Sequence, residues 1–509
     1  MSSGLRQFAH DVSPYLILLI AVSALGPLQF GFHLGELNAP QDVITCRKKS
    51  ISARLVYAAA HIRSNAVASD LSDCIQMDNV QFAIVSSAFT VGGLFGALAA
   101  GPISSAKGRL LAMRLTSLLF ILGSVIEAVA ASVAVLSIGR VFSGAGAGAA
   151  TVIVPIYISE IAPPKERGFF GFMTQISINV GILMAQTLGF FLSYGSAWRW
   201  ILGTGAIVGG AHAFGLLVVP ESPAWLASNQ SVPQAKRILQ RIRGKDHDIE
   251  EEVALWGSGV TNPEEEGLLQ DGGDESSGRQ ATPKIGTKEG EHLGFIQVVS
   301  DPETRPAIIA VVGTMFAQQL CGINSIIMYS VSLLADLLPI NSALLTIIIS
   351  AMNLVVTIAC APLPDKLGRK ACLLVSAAGQ GTSALCLALS ILFGLKILSA
   401  IAVIAFVSFF AVGLGPVPFM LASELVGQKA VGATQSWGLG ASYIATFLVA
   451  QFFPIINVAL NERFGRAGWV YFVFTALAVC SGLFISLKVP ETRGKKDADE
   501  VWGRTRRLD

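Results

Sequence analysis

A chain of 509 residues that is 52% hydrophobic and only 14% charged, with a mean hydropathy of +0.61, has too little polar surface to cover a soluble globule of its size. These figures exclude a soluble enzyme and mark an integral membrane protein. The net charge of +2 gives no electrostatic footing for nucleic acid.

An α-helix needs roughly 20 apolar residues to cross ~30 Å of hydrocarbon. Twelve such runs follow one another, near 15–37, 80–104, 110–131, 133–158, 168–192, 199–219, 306–334, 341–363, 371–394, 396–422, 434–455 and 467–488. Barrel strands would alternate and be half as long, so the expected fold class is an all-α membrane protein with twelve transmembrane helices, whose one obligatory partner is a lipid bilayer.

The first run lacks a small-residue cleavage site and is too long for a signal peptide, so it reads as a retained span behind a short N-terminus, 1–14. It closes with FGFHLGELNAPQ, which sets His33 and Glu36 three residues apart on one helical face. A hydrophilic loop, 38–79, follows. Cys46 and Cys74 lie in it, whereas the other five cysteines fall in spans and read as small apolar filler. In an oxidising compartment Cys46 and Cys74 could pair; otherwise they are two free thiols.

Short links after helices 2, 4, 8 and 10 carry Lys107, Arg109, Lys165, Arg167, Lys366, Arg369, Lys370 and Lys429. The positive-inside rule therefore puts both termini in the cytosol, although the basic residues between 47 and 63 would lie outside, in a loop long enough to constrain orientation weakly.

Three signatures recur in order between the halves. Lys107-Gly108-Arg109 answers Leu367-Gly368-Arg369, Ser159-Glu160 answers Ser423-Glu424, and Val219-Pro220-Glu221-Ser222 answers Val489-Pro490-Glu491-Thr492. The chain thus divides into two six-helix bundles, 15–219 and 306–488, related by an internal repeat, with a linker over 220–305 and a tail over 489–509. Such a duplication suits an alternating-access transporter with its site between the halves. In the linker, 234–242 has amphipathic spacing and predicts a short surface helix, while the Gly-, Glu-, Asp- and Ser-rich stretch 257–290 predicts disorder.

The motifs, taken together, resemble the sugar porters of the major facilitator superfamily, the group of glucose-type facilitators and sugar–proton symporters. Gly139-Arg140, Glu160 with Arg167, Pro220-Glu221-Ser222-Pro223-Ala224-Trp225-Leu226, Gln318-Gln319-Leu320-Cys321-Gly322-Ile323-Asn324, Asp365-Lys366-Leu367-Gly368-Arg369-Lys370 and Val489-Pro490-Glu491-Thr492-Arg493-Gly494 are similar to that family's signatures. The resemblance implies the major facilitator fold and transport of a hexose-like sugar, with no cofactor and no catalysis. It places Gln175, Gln318, Gln319, Asn324 and Asn353 at sugar-contact positions, with Phe419 and Tyr443 where many facilitators carry tryptophan. An amide offers donors and acceptors to sugar hydroxyls, and is costly in a span without a partner; structural hydrogen bonding between helices is the alternative use.

The resemblance also implies cytosolic ion pairs that hold the halves together when the site faces outward. Glu160, Arg167, Glu221, Asp365, Arg369 and Glu424 are the surviving members. Ala106, Ala224 and Val431 stand where basic residues are usual, and Ala411 replaces a Glu, which predicts a weakened lock.

At His33 the proton-coupled members carry an Asp that answers the Arg here numbered Arg140. A histidine could not serve with the same sign, since its protonated ring would repel the guanidinium, so facilitative uniport is the first expectation. Glu36, usually apolar in facilitators, could pair with His33, snorkel to the interface, or couple transport to protons. The opening stretch also resembles a fungal, vacuole-linked subgroup. A non-transporting sugar sensor is a further alternative, against which stands the short tail after the last span. Nothing resembles a nucleotide-binding loop. Finally, Glu264-Glu265-Glu266-Gly267-Leu268-Leu269 fits an acidic dileucine pattern, so Leu268 and Leu269 are candidates for a sorting adaptor, with a vacuolar or other endomembrane location as open as the plasma membrane.

Overall fold

The computed structural model describes residues 13–47, 72–163, 166–229, 231–244, 247–250, 252–253, 295–334, 342–495 and 498–504. The acidic stretch 257–290, with Leu268 and Leu269, and the side chain of Arg167 lie outside the described residues.

The first bundle comprises α1 (Pro14–Gly35), α2 (Asn79–Lys107), α3 (Arg109–Val129), α4 (Val133–Ile161), α5 (Arg167–Leu192) and α6 (Trp198–Gly215). The second comprises α7 (Arg305–Leu320, continued by Ile323–Leu334), α8 (Ser342–Cys360), α9 (Arg369–Leu392), α10 (Lys396–Val412, continued by Val417–Glu424), α11 (Gln428–Phe464) and α12 (Val470–Lys488). Among the described residues ten helical runs are long and apolar enough to cross a bilayer, and α7 makes an eleventh as a bent pair. The remaining helix, α6, has 18 residues and is diluted by five glycines, Arg199 and His212.

Helix starts follow their sequence signals. Ser13 caps α1, its hydroxyl accepting from the Leu16 amide at 3.0 Å ahead of Pro14, and Asp78 with Gln81 forms a reciprocal capping box on α2. Two expected spans are not continuous. The 306–334 run bends by 43° between Leu320 and Ile323, and the 396–422 run breaks at Gly413-Leu414-Gly415-Pro416, where glycine flexibility and the missing proline amide interrupt the ladder. The expected 434–455 run is instead part of a 37-residue helix.

The repeat is structural as well as sequential. Gly108 and Gly368 adopt φ of 97° and 101°, and in each case a Cβ would lie 2.3 Å from a carboxylate oxygen, of Glu221 and Glu491 respectively. Glu221 accepts the amides of Arg109 and Leu110 at the start of α3; Glu491 accepts those of Arg369 and Lys370 at the start of α9. Each carboxylate thus caps a helix N-terminus, where the backbone presents unpaired donors and partial positive charge.

The bundles meet along α2 against α11 and α5 against α8. The loop before α2 is closed by the Cys46–Cys74 disulfide, with Cα atoms 5.3 Å apart.

Candidate functional site: a cavity between the bundles and a buried charge cluster

A cavity of about 640 Å³, including its open mouth, lies between the bundles. Gln175, Gln318, Gln319, Asn324, Asn353, Phe419 and Tyr443, the seven residues expected at the substrate, all line it. They come from α5, both parts of α7, α8, α10 and α11, so the wall belongs to both halves of the repeat. Phe30 and Phe89 add the aromatic surface of the first bundle. Their rings stack at 6.1 Å, and Phe30 meets Tyr443 edge-on at 6.2 Å.

The amides form a connected network. Gln318 Nε2 donates to the Leu414 and Gly415 carbonyls at 2.5 and 3.1 Å, groups exposed by the break in α10. Gln319 Nε2 reaches Gln318 Oε1 at 3.1 Å and Ser442 Oγ at 3.0 Å, while Asn324 Nδ2 donates to Gln319 Oε1 at 2.7 Å and to Thr446 Oγ1 at 3.1 Å. Within α5, Gln175 Nε2 donates to Asn179 Oδ1 at 3.0 Å; across the interface, Asn353 Nδ2 donates to the same oxygen at 3.3 Å and Asn179 Nδ2 donates to Thr357 Oγ1 at 2.7 Å. Asn353 Oδ1 has no partner among the described residues. Asn179 is the hub joining the bundles, and the sequence reading passed over it, although an asparagine in the apolar run 168–192 was a signal of the same kind as Gln175.

Beside the cavity, inside the first bundle, lies a second polar centre. His33 Nδ1 is 2.9 Å from Glu36 Oε1, and Arg140 Nη1 donates to the same oxygen at 2.5 Å and to the His33 carbonyl at 2.8 Å. All three side chains are sealed from solvent. Glu36 is therefore not at the interface without a partner, and Arg140 meets the backbone of His33 rather than its ring. Sequence analysis missed Glu127 on α3, fully buried with Oε1 accepting from Ser143 Oγ at 2.6 Å. Its signal was a lone acid in the apolar run 110–131.

At the linker end the expected charged residues whose side chains are described pair within their own bundles. Glu160 is gripped bidentately by Arg109 at 2.7 and 3.0 Å, and Arg369 holds Glu424 at 2.9 Å and Asp365 at 2.9 Å. Glu221 caps α3. Each of these contacts lies within one half of the repeat, so among the described residues they brace each bundle rather than join the two. The arginine that opens α3 or α9 finds its acid at the nearby end of α4 or α10, one helix hairpin away in the same bundle.

A family model described as "Sugar (and other) transporter" matches residues 19–501. The chain belongs to that family. Within this sugar transporter family, it is 32% identical over 509 residues to a probable metabolite transport protein of Saccharomyces cerevisiae, with 98% of each chain covered. It is 30% identical over 489 residues to the vacuolar protein sorting-associated protein 73 of the same yeast, covering 96% of each. Rat facilitated glucose transporter member 3 is 28% identical over 501 residues, 96% of this chain and 92% of that one. Among solved structures, the proton:xylose symporter XylE bound to 6-bromo-6-deoxy-D-glucose superposes with a TM-score of 0.73 at 22% identity, over 96% of this chain and 98% of that one. That likeness gives the sugar transporter the twelve-helix major facilitator fold.

Proposed function

We propose that this multi-pass membrane protein carries a hexose-like sugar across the bilayer by alternating access, with the sugar held in the cavity between the bundles. The observation that carries the reading is the amide network contributed by both halves. Gln175, Gln318, Gln319, Asn324 and Asn353 offer amide donors and acceptors of the kind sugar hydroxyls pair with, and Phe30, Phe89, Phe419 and Tyr443 offer flat apolar surface for the faces of a pyranose ring. A site made by two bundles is reshaped whenever they rock, which alternating access needs.

Among the described residues, no carboxylate, imidazole or cationic side chain lines the cavity. An uncharged wall suits an uncharged sugar and supports movement down the sugar's own gradient. Proton coupling is the second reading, favoured by the buried carboxylates of Glu36 and Glu127. Both termini are proposed to be cytosolic from the basic links, and a vacuolar or other endomembrane site is supported by the yeast vacuolar sorting relative. Sorting through Leu268 and Leu269 is a proposal carried by sequence alone.

The test is uptake of a panel of labelled hexoses, pentoses and polyols into proteoliposomes holding the purified protein, with and without a pH gradient. Saturable uptake of a hexose, competed by its unlabelled form, is the expected result. Uptake no greater than in protein-free liposomes across the panel overturns the substrate class.

A further inference from the structure

Leu439, Ser442, Tyr443 and Thr446 of helix α11 line the cavity. Leu439, Ser442 and Thr446 follow one another at intervals of three and four residues and so share one face of the helix, and Gln435 lies on that face four residues before Leu439. It stands one turn, about 6 Å, nearer the linker end than the cavity wall. Gln435 is only 2% exposed, and its Nε2 is buried with no partner among the described residues. The next residue repeats the pattern. Ser436 is fully buried, and its Oγ has no partner among the described residues either, although a helical serine ordinarily returns its hydroxyl to a carbonyl of the preceding turn, as Ser408 does to Ile404 at 2.8 Å.

Both groups sit where the two bundles shut. Helix α2 approaches α11 so closely at Gly101 that a Cβ there would lie 2.4 Å from Ser436 Oγ and 3.1 Å from the Gly432 carbonyl oxygen. A Cβ at Gly432 would in turn lie 3.7 Å from Ser105 Oγ and 4.0 Å from Ile156 Cδ1 on α4. On the other side of the cavity, a Cβ at Gly171 of α5 would lie 3.8 Å from Met420 Cγ on α10. The linker end is thus packed shut by small and apolar groups, with the Gln435 amide and the Ser436 hydroxyl covered inside it. The disulfide end closes differently. There Ser87 donates to Gln451 at 2.8 Å and Thr346 to Gln186 at 3.3 Å, so polar groups are paired across the bundles.

That difference has a sign. A buried amide hydrogen without an acceptor costs free energy that is recovered as soon as water or another polar molecule can reach it. Shutting the linker end incurs the cost at Gln435 and Ser436, and parting the bundles there relieves it, whereas shutting the disulfide end forms hydrogen bonds. The two closures are therefore unequal, and the weaker one is at the linker end. Opening it carries α2 and α4 away from α11 and uncovers Gln435 immediately beyond Leu439, on the way out of the cavity.

We propose that Gln435 is the release-side residue of this transporter: covered, its unpaired amide favours opening of the linker end, and uncovered, it is the next partner for the sugar hydroxyls that leave Gln318, Gln319 and Asn324. An amide suits both tasks. It offers donors and an acceptor of the same kind as the cavity amides, so a departing hydroxyl exchanges one amide for another. It also carries no charge, so it can be covered at a cost the bundle contacts withstand, where an ionised side chain could not. Ser436, pressed on Gly101, adds to the bias with the same sign. The contact with sugar rests on the sugar-carrier reading; the bias toward opening at the linker end does not.

The experiment reads the opening directly. Lys107 and Lys366 are exposed at the linker ends of the first and second bundles. Spin labels on Lys107→Cys and Lys366→Cys, in the full-length chain lacking the five unpaired cysteines, report the distance between the bundles by double electron–electron resonance. Gln435→Leu, which keeps the bulk and removes the polar atoms, should lower the ratio of open to closed linker ends about tenfold. Gln435→Met should do the same, so the result does not hang on one variant folding, and Gln435→Asn, which keeps an amide on that face, should stay near the natural ratio. An unchanged ratio in the leucine and methionine variants overturns the bias, and so does an asparagine variant that follows leucine, because the effect then lies in shape. Sugar counterflow in vesicles supplies the second arm. Turnover in Gln435→Leu should fall several-fold further than the ratio does, with the equilibrium Kd for sugar not weakened. A fall no larger than that of the ratio removes the sugar contact, and a weakened Kd with unaltered turnover puts Gln435 in the cavity wall and overturns the release role. Failure of counterflow in the natural chain, with the shift in distances intact, strikes the sugar reading and leaves the bias standing.

Discussion

Gln319 carries the sharpest expectation at the residue scale, because its amide is the node where Gln318, Asn324 and Ser442 converge on the cavity. Replacing it with alanine removes the proposed partner for sugar and also frees its neighbours from their fixed geometry. The expected loss is about 1–3 kcal/mol of sugar affinity, roughly 5- to 150-fold in Kd, measured by equilibrium binding of labelled sugar to purified Gln319→Ala. An unchanged Kd in a folded variant removes the amide network from the site. Asn179→Ala tests the residue that sequence reading overlooked: it strips Gln175, Asn353 and Thr357 of a shared partner across the bundle interface, so binding and transport should fall together. The cavity-lining amides were legible in sequence because each sits in a recognisable motif or alone in an apolar run. The His33–Glu36 pair was legible only along one helix, through its three-residue spacing. That Arg140 and Glu127 close on the same spot depends on how α1, α3 and α4 pack, and no spacing within a single chain segment carries that information.

At the element scale, the two halves use one device with one difference. Arg109 and Arg369 each open a helix, hold a glutamate, and stand beside a carboxylate-capped N-terminus, but Arg369 has a second acid, Asp365, where the first half has Ser105. Asp365 is 57% exposed while Glu424 is 26% exposed, so the second pair is screened by water and contributes little. Asp365→Ala should therefore move the thermal midpoint of the detergent-purified protein by no more than a degree or two. Glu424→Ala should lower it several-fold more, since a largely buried guanidinium loses its bidentate partner at a cost of ~1–3 kcal/mol. Equal shifts would show that burial does not rank these pairs. The same scale explains the misjudged helix ends. Gly413-Leu414-Gly415-Pro416 reads as apolar in a hydropathy window, yet the chain leaves the helix there and frees the two carbonyls that anchor Gln318. A further expectation concerns the Cys46–Cys74 loop, where bridging residues 28 apart removes unfolded-state freedom. Cys74→Ser should destabilise the protein by about 2–4 kcal/mol, seen as earlier thermal aggregation, whereas reductant should have no added effect on that variant.

For the whole molecule, alternating access requires that contacts between the bundles break at one end while they hold at the other. Helices α2 and α11 run side by side in a constant antiparallel register along their length. Ser87 Oγ donates to Gln451 Oε1 at 2.8 Å toward the disulfide end, Gly93 faces the Tyr443 ring at the cavity, and Gly101 faces Ser436 toward the linker end. On the other side of the cavity Thr346 Oγ1 meets Gln186 Oε1 at 3.3 Å, again toward the disulfide end. If the bundles rock as rigid bodies, Ser87 and Gln451 must part whenever the cavity opens toward the disulfide end. Cysteines at 87 and 451, in a background lacking the five unpaired cysteines but keeping Cys46 and Cys74, should cross-link under mild oxidant. The cross-linked protein should exchange no sugar across the membrane, yet still bind sugar offered from the linker side, and reductant should restore exchange. Full exchange by completely cross-linked protein would mean that α2 and α11 stay together throughout the cycle, and that the opening must be sought along α5 and α8 instead.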